Sequence, residues 1–224
     1  MFGFKLFSFL NFGSIKQENH NHFNSNIISF IKQNEDYFYN GEFKKSFEIL
    51  KEYKRDNSSD KKNNYLLLVN EAKYYFDLCN YKKTKENLYY LEKEYKNFID
   101  ISFKETQLSL CMHEKDPNKF NEIKQYFLIE KQTNRSNEYF DFMYALNTGD
   151  IKQAKKLFDK LKEKEKSEFL KANLYAQSFF KEQNENDALL FIELCETLIQ
   201  DNKLNFLQKK IILETLYEIE KIFY

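Results

Sequence analysis

From about Ile27 onward the apolar positions of this chain recur at three- and four-residue steps, the period of a helix with one buried face. Short polar turns interrupt the pattern. After each turn an aromatic or aliphatic residue opens the next amphipathic stretch. The openers are Phe43, Tyr81, Phe120 and Ile151, preceded by Asn40-Gly41, Cys79-Asn80, Asp116-Pro117 and Gly149-Asp150. They stand 38, 39 and 31 residues apart. Such a period predicts a stack of helical hairpins, each too small to bury its apolar face alone.

Five hairpins follow. In the first, Ile27, Ile28, Ile31, Tyr37 and Phe38 give way at Asn40-Gly41, the pair favoured where a helix ends in a left-handed residue. Phe43, Phe47, Leu50 and Tyr53 form the inward stripe of the return helix, and residues 56–60 make the loop to the second hairpin. The second runs from Tyr65 to Leu78 and returns through Thr84, Leu88 and Leu91. The third pairs about 101–114 with 118–130, where Asp116 can cap a helix whose first residue, Pro117, has no N–H to satisfy. The fourth pairs about 136–146 with 151–162, and the fifth about 167–183 with 187–200. A last helix over about 204–224 places Lys210, Glu214, Glu218 and Lys221 on its wet side, as a terminal cap requires. The expected organisation is an apolar segment and polar linker over 1–25, then one helical repeat domain over 26–224.

Residues 1–12 are Phe- and Leu-rich, with Lys5, Ser8 and Asn11 as their polar members. A helix there reaches ~18 Å at ~1.5 Å per residue, short of the ~30 Å hydrocarbon core. It lacks the basic start and small-residue cleavage site of a signal peptide. Docking onto the first hairpin and lying in a membrane interface or a partner groove both remain open. Residues 16–26 read as a polar linker, in which His20 and His22 are more simply solvated than metal-bound.

Composition narrows the class. One proline, four glycines and a single valine (Val69) argue against a sandwich or barrel and for an all-α protein. The abundance of Lys, Asn, Phe, Tyr and Ile is the mark of an AT-rich genome. Thirty-five basic and 35 acidic residues balance to zero, so no basic stripe points to nucleic acid. The lysine run from Lys152 to Lys166 is threaded with Asp159, Glu163 and Glu165, as on a solvated helix face. Cys79, Cys111 and Cys195 lie far apart among apolar residues. They read as small buried hydrophobes in predicted helices of a cytoplasmic protein, without metal spacing or a disulfide framework.

The order of sizes around the turns resembles the tetratricopeptide repeat family. Gly149-Asp150-Ile151, then Ala154 and Phe158, is similar to that family's turn and second helix. Gly41-Glu42-Phe43 with Ser46 and Leu50 repeats it, as does Asn80-Tyr81 with Thr84 and Leu88. Ala72 with Tyr75, and Ala176 with Phe179, resemble the small-then-aromatic pair of the first helix. The departures are the lack of tryptophan, the missing proline after each second helix, Ile123 where a small residue is expected and Phe142 where Ala or Gly is usual. The resemblance covers about residues 27–200, and a divergent hairpin array of another type stays open beside it. It implies a right-handed α-solenoid of about five hairpins with a C-terminal capping helix.

No catalytic constellation stands out: there is no Gly-rich phosphate loop, no G-x-S-x-G turn and no H-E-x-x-H. Cys111 and His113 cannot form a dyad, since residues two apart on a helix diverge. A non-enzymatic protein–protein interaction scaffold (an adaptor, chaperone or complex subunit) is therefore expected, with no cofactor and no metal. The resemblance places ligand contacts on the first helices. By register these are Glu35 and Tyr39, Lys73 and Asp77, Met112 and Asp116, Met143 and Asn147, and Gln177 and Lys181. Such a mixture suits a peptide or helix held by apolar contacts and a few charge pairs. Tyr39→Ala or Lys73→Glu is expected to abolish partner capture without changing melting. The alternatives are a membrane-peripheral component anchored by residues 1–12, and a helical regulatory or nuclease-type module needing a titratable cluster assembled only in three dimensions. Partner identity and oligomeric state leave no mark in the sequence.

Overall fold

The computed structural model describes residues 25–56, 60–129, 135–201 and 204–223. The expectations for residues 1–12, for His20 and His22 and for Tyr224 lie outside the described residues. The described elements are all helical: α1 Ser25–Tyr39, α2 Phe43–Asp56, α3 Lys61–Asp77, α4 Tyr81–Glu94, α5 Ile101–Glu114, α6 Pro117–Ile129, α7 Asn137–Thr148, α8 Ile151–Lys160, α9 Glu168–Glu182, α10 Glu185–Gln200 and α11 Phe206–Phe223. Short 3₁₀ turns cover Lys96–Phe98 and Glu163–Glu165. Ser25 and Asn26, read as the end of the linker, belong to the first turn of α1. Helix α3 starts four residues before Tyr65, because the Asp60 carboxylate accepts from the Lys62 and Asn63 amides and caps it there.

The helices pack as antiparallel neighbours in sequence order: α1 with α2, α3 with α4, α5 with α6, α7 with α8 and α9 with α10. The described residues divide into two compact units, one with α1–α6 and the other with α7–α11. In the first unit α1, α3 and α5 also pack on one another in turn, while α2 meets α3 and α4 meets α5. In the second unit α8 packs on α9 and α10 on α11.

One turn is built four times. Gly41, Cys79, Lys115 and Gly149 have φ of 88°, 59°, 58° and 78°, the left-handed region, and the return helix begins two residues later. In each, two amides turn back onto the preceding helix: Gly41 and Glu42 to Phe38 and Tyr37, Cys79 and Asn80 to Phe76 and Tyr75, Lys115 and Asp116 to Met112 and Cys111, Gly149 and Asp150 to Leu146 and Ala145. Gln183 takes the same conformation, φ 55°, at the fifth turn. These positions lie 38, 36, 34 and 34 residues apart, a steadier period than the apolar openers gave. Asn80, Asp100, Ser136, Asp150, Ser167 and Asn184 each cap the following helix with a side-chain oxygen.

Small residues set the closeness of each hairpin. Ser46, Thr84, Ala154 and Ala188 in the second helices, and Ala72 and Ala176 in the first, are wholly buried. In α6 that place, five residues after the left-handed turn position, falls to Phe120 rather than to Ile123, and both are buried. At Ser46 the contact is also polar: its hydroxyl donates to Asn34 Oδ1 at 2.9 Å, while Asn34 Nδ2 donates to the Ser46 carbonyl at 2.9 Å. Between hairpins the contact is aromatic. Phe38 stacks on Tyr74 at 4.1 Å and Phe47 on Tyr75 at 5.0 Å. Two expectations need correction. Cys79 is not in a helix but in the left-handed turn position, half-buried. The outer face of α11 is not wholly polar, since Phe206, Leu213, Tyr217 and Ile222 are exposed on it.

Candidate partner-binding face

Four of the residues placed on the first helices by register meet in the first unit. The α1–α3 contact brings Glu35 and Tyr39 against Lys73 and Asp77, one helical turn apart on each helix. The Tyr39 hydroxyl donates to Asp77 Oδ2 at 2.9 Å, and Lys73 Nζ lies 3.1 Å from Glu35 Oε1. Lys73 also sits 5.4 Å from the Tyr39 ring centroid. Asp77 is buried, Tyr39 half-buried, and the Glu35 and Lys73 side chains keep about a third and two fifths of their surface, 32% and 43%. The cluster therefore has a dry floor and a wet rim.

Two further members were missed in the sequence. Glu105 of α5, half-buried, has Lys73 as its main favourable electrostatic neighbour. Tyr74 is fully buried, its hydroxyl is without a partner among the described residues, and Glu35, Tyr39, Lys73 and Asp77 are its charged and polar surroundings.

Charge is poorly balanced here. Burial raises the Asp77 carboxyl to about 7 despite Lys73 and the Tyr39 hydrogen bond, which pull the other way. Burial likewise raises Glu105 to about 7 against the pull of Lys73. Burial disfavours the charged form of Lys73, but Glu35 and Asp77 outweigh it and hold the ammonium above its ordinary pKa. Burial and then Asp77 push the Tyr39 phenol well up. One permanent cation thus faces three carboxyls, two of which exchange protons near neutrality.

The remaining register candidates do not join this cluster. Met112 and Met143 are core side chains, not surface. Asp116 is exposed and caps α6, accepting from the Asn118 and Lys119 amides. In the second unit, Asn147 donates to the Met143 carbonyl of its own helix at 2.8 Å, and Lys181 donates to the Gly149 carbonyl. Gln177 is buried with its Nε2 unpartnered among the described residues. The third hairpin was read three residues out of register. Counting back from Lys115 rather than from Asp116-Pro117, the positions matching Lys73 and Asp77 are Ser109 and His113. Ser109 is buried and donates to the Glu105 carbonyl at 3.0 Å, while exposed His113 stacks on Tyr81 at 3.5 Å. Glu105 stands one turn before Ser109, which is how α5 reaches the cluster.

Other polar groups have structural work. Lys155 of α8 bridges Glu182 of α9 at 3.1 Å and Asp187 of α10 at 2.9 Å, and Ser178 donates to Asp187. Buried Glu165 accepts from the Ser136 amide at 2.6 Å and hydroxyl at 2.9 Å, pinning the start of α7. Burial pushes the Cys111 and Cys195 thiols up to about 12, which keeps them unreactive. Among the described residues no group of His, Cys, Asp and Glu is placed to hold a metal, and no helix is long and apolar enough to cross a membrane. Comparison with protein-family models, with curated proteins and with solved structures finds no match.

Proposed function

We propose that this protein is a non-enzymatic interaction module of the tetratricopeptide-like kind, a right-handed array of hairpins whose first helices hold a segment of another protein. The segment is a peptide or helix that lays apolar side chains along α1, α3 and α5 and inserts one Lys or Arg side chain between Glu35, Asp77 and Glu105. The observation that carries this reading is the burial of two carboxyls against one cation: Asp77 and Glu105 are both raised to about 7 by burial, and Lys73 is the one lysine set against them among the described residues. A guest ammonium or guanidinium would supply the missing charge and make charge-assisted hydrogen bonds, each contributing about 1.5–3 kcal/mol.

The test is selection of displayed random peptides on the full chain and on an Asp77→Asn/Glu105→Gln variant. Enrichment of Lys or Arg at one position with the first, lost with the second, supports the reading. Peptides without any basic preference contradict it. Tyr39→Ala also removes the hydrogen-bond donor of Asp77, so its melting is measured alongside partner capture.

The same raised carboxyl favours a second reading, a catalytic module using Asp77 as acid or base. Under that reading Asp77→Asn abolishes turnover of a substrate. In a binding module it changes affinity alone.

A further inference from the structure

Among the described residues, α11 carries an exposed apolar seam. Four of the chain's ten exposed large hydrophobic residues, among the described ones, fall on this single helix. Its inner face is closed by Leu207, Ile211, Ile212, Thr215 and Ile219, all buried. On the outer face, Phe206, Lys210, Leu213, Tyr217 and Glu220 follow one another at steps of four, three, four and three. That is the 3.5-residue repeat that meshes with a second helix. Phe206, Leu213 and Tyr217 are 48%, 49% and 57% exposed, and Lys210 and Glu220 are exposed with them. Lys221 lies over the Tyr217 ring at 4.5 Å, and the Lys210–Glu214 and Lys221–Glu218 pairs flank the strip.

The order of these residues says what fits. Laid antiparallel on a second copy about a two-fold axis at Thr215, Lys210 faces Glu220 of the other chain and Leu213 faces Tyr217. Each contact occurs twice, as an isologous interface demands. A parallel pairing sets lysine against lysine and glutamate against glutamate, which costs affinity and selects against that arrangement. We infer that the outer face of α11 is the self-complementary interface of an antiparallel homodimer. The seam is short and mixed, so the association belongs to the weak, concentration-dependent class.

Charge reversal tests this on the full chain by analytical ultracentrifugation over a concentration series at low salt. Wild type should show a monomer–dimer equilibrium. Lys210→Glu sets glutamate against glutamate twice and Glu220→Lys sets lysine against lysine twice, so each alone should associate roughly tenfold or more weakly. An equimolar mixture of the two variants should dimerise, and the double variant Lys210→Glu/Glu220→Lys should regain the wild-type equilibrium. These exposed positions carry little of the fold, and unchanged helical circular dichroism checks that. A wild-type chain that stays monomeric at every concentration overturns the inference. So does association that Lys210→Glu leaves untouched. A monomer whose melting temperature falls with Leu213→Glu also overturns it, since the face is then covered from within the same chain.

Discussion

Replacing Asp77 with Asn should stabilise this protein at neutral pH, and the gain should shrink on acidification. In the folded chain the Asp77 carboxyl titrates near 7, against an ordinary value of 3.8. A raised carboxyl means that, between about pH 4 and 7, the folded state holds a proton that the unfolded state has released. Stability from this group is therefore full below about pH 4 and is lost as pH rises through 7. Three units at ~1.4 kcal/mol each put the cost of ionisable Asp77 on the order of 4 kcal/mol at about pH 7.5, relative to a neutral isostere. At about pH 5 the folded carboxyl is mostly protonated, and the cost falls to under about 2 kcal/mol. Asparagine keeps an acceptor for the Tyr39 hydroxyl, so the 2.9 Å hydrogen bond survives. Urea denaturation of both proteins at about pH 5 and pH 7.5 gives the difference directly, with Asp77→Asn gaining roughly 2–3 kcal/mol more at the higher pH. A variant less stable than wild type at pH 7.5, or a difference that does not change with pH, would falsify the assignment of Asp77 as a buried, under-compensated carboxyl.

Three other outcomes follow from the packing. Lys115→Gly should stabilise by roughly 1 kcal/mol, because the exposed lysine holds a left-handed backbone, φ 58°, that costs any residue with a Cβ; thermal melting checks it, and the cysteine at the matching position, Cys79, should respond alike. Asn34→Leu should cost about 1–3 kcal/mol by taking the short side-chain acceptor from the buried Ser46 hydroxyl, and Asn34→Leu/Ser46→Ala should recover part of the loss in the same denaturation assay. If residues 1–12 lie in a membrane interface, full chains carrying Phe4→Glu and Phe7→Glu should lose flotation with anionic liposomes, whereas equal flotation removes that role.

The helices and their pairing were legible because apolar spacing, caps and turn residues all agreed. Asn40-Gly41 announces a left-handed helix end, and Asp116-Pro117 announces a helix start. The third turn was harder to read. Lys115 carries no sign that it will adopt the conformation of Gly41, and Asp116-Pro117 drew the register forward by three residues. Met112 and Asp116 were placed on the binding face for that reason, and Glu105 was overlooked. The charge state of the cluster was beyond the sequence altogether. Glu35, Lys73, Asp77 and Glu105 are ordinary surface residue types, and only the approach of α3 to α1 and α5 turns them into a cation-poor group. On α11 the four-three spacing was written in the sequence, but the lysines and glutamates beside it gave the impression of a wet face.

Proton release on binding bears most directly on the role assigned to the α1–α3–α5 face. A guest cation that settles beside Asp77 and Glu105 must ionise them. Isothermal calorimetry of the full chain with a selected arginine-containing peptide, at about pH 6.5 in buffers of different ionisation enthalpy, should report on the order of one proton released per peptide bound. Asp77→Asn/Glu105→Gln should abolish that release. Binding with no proton released by the wild-type chain would contradict the proposed recognition.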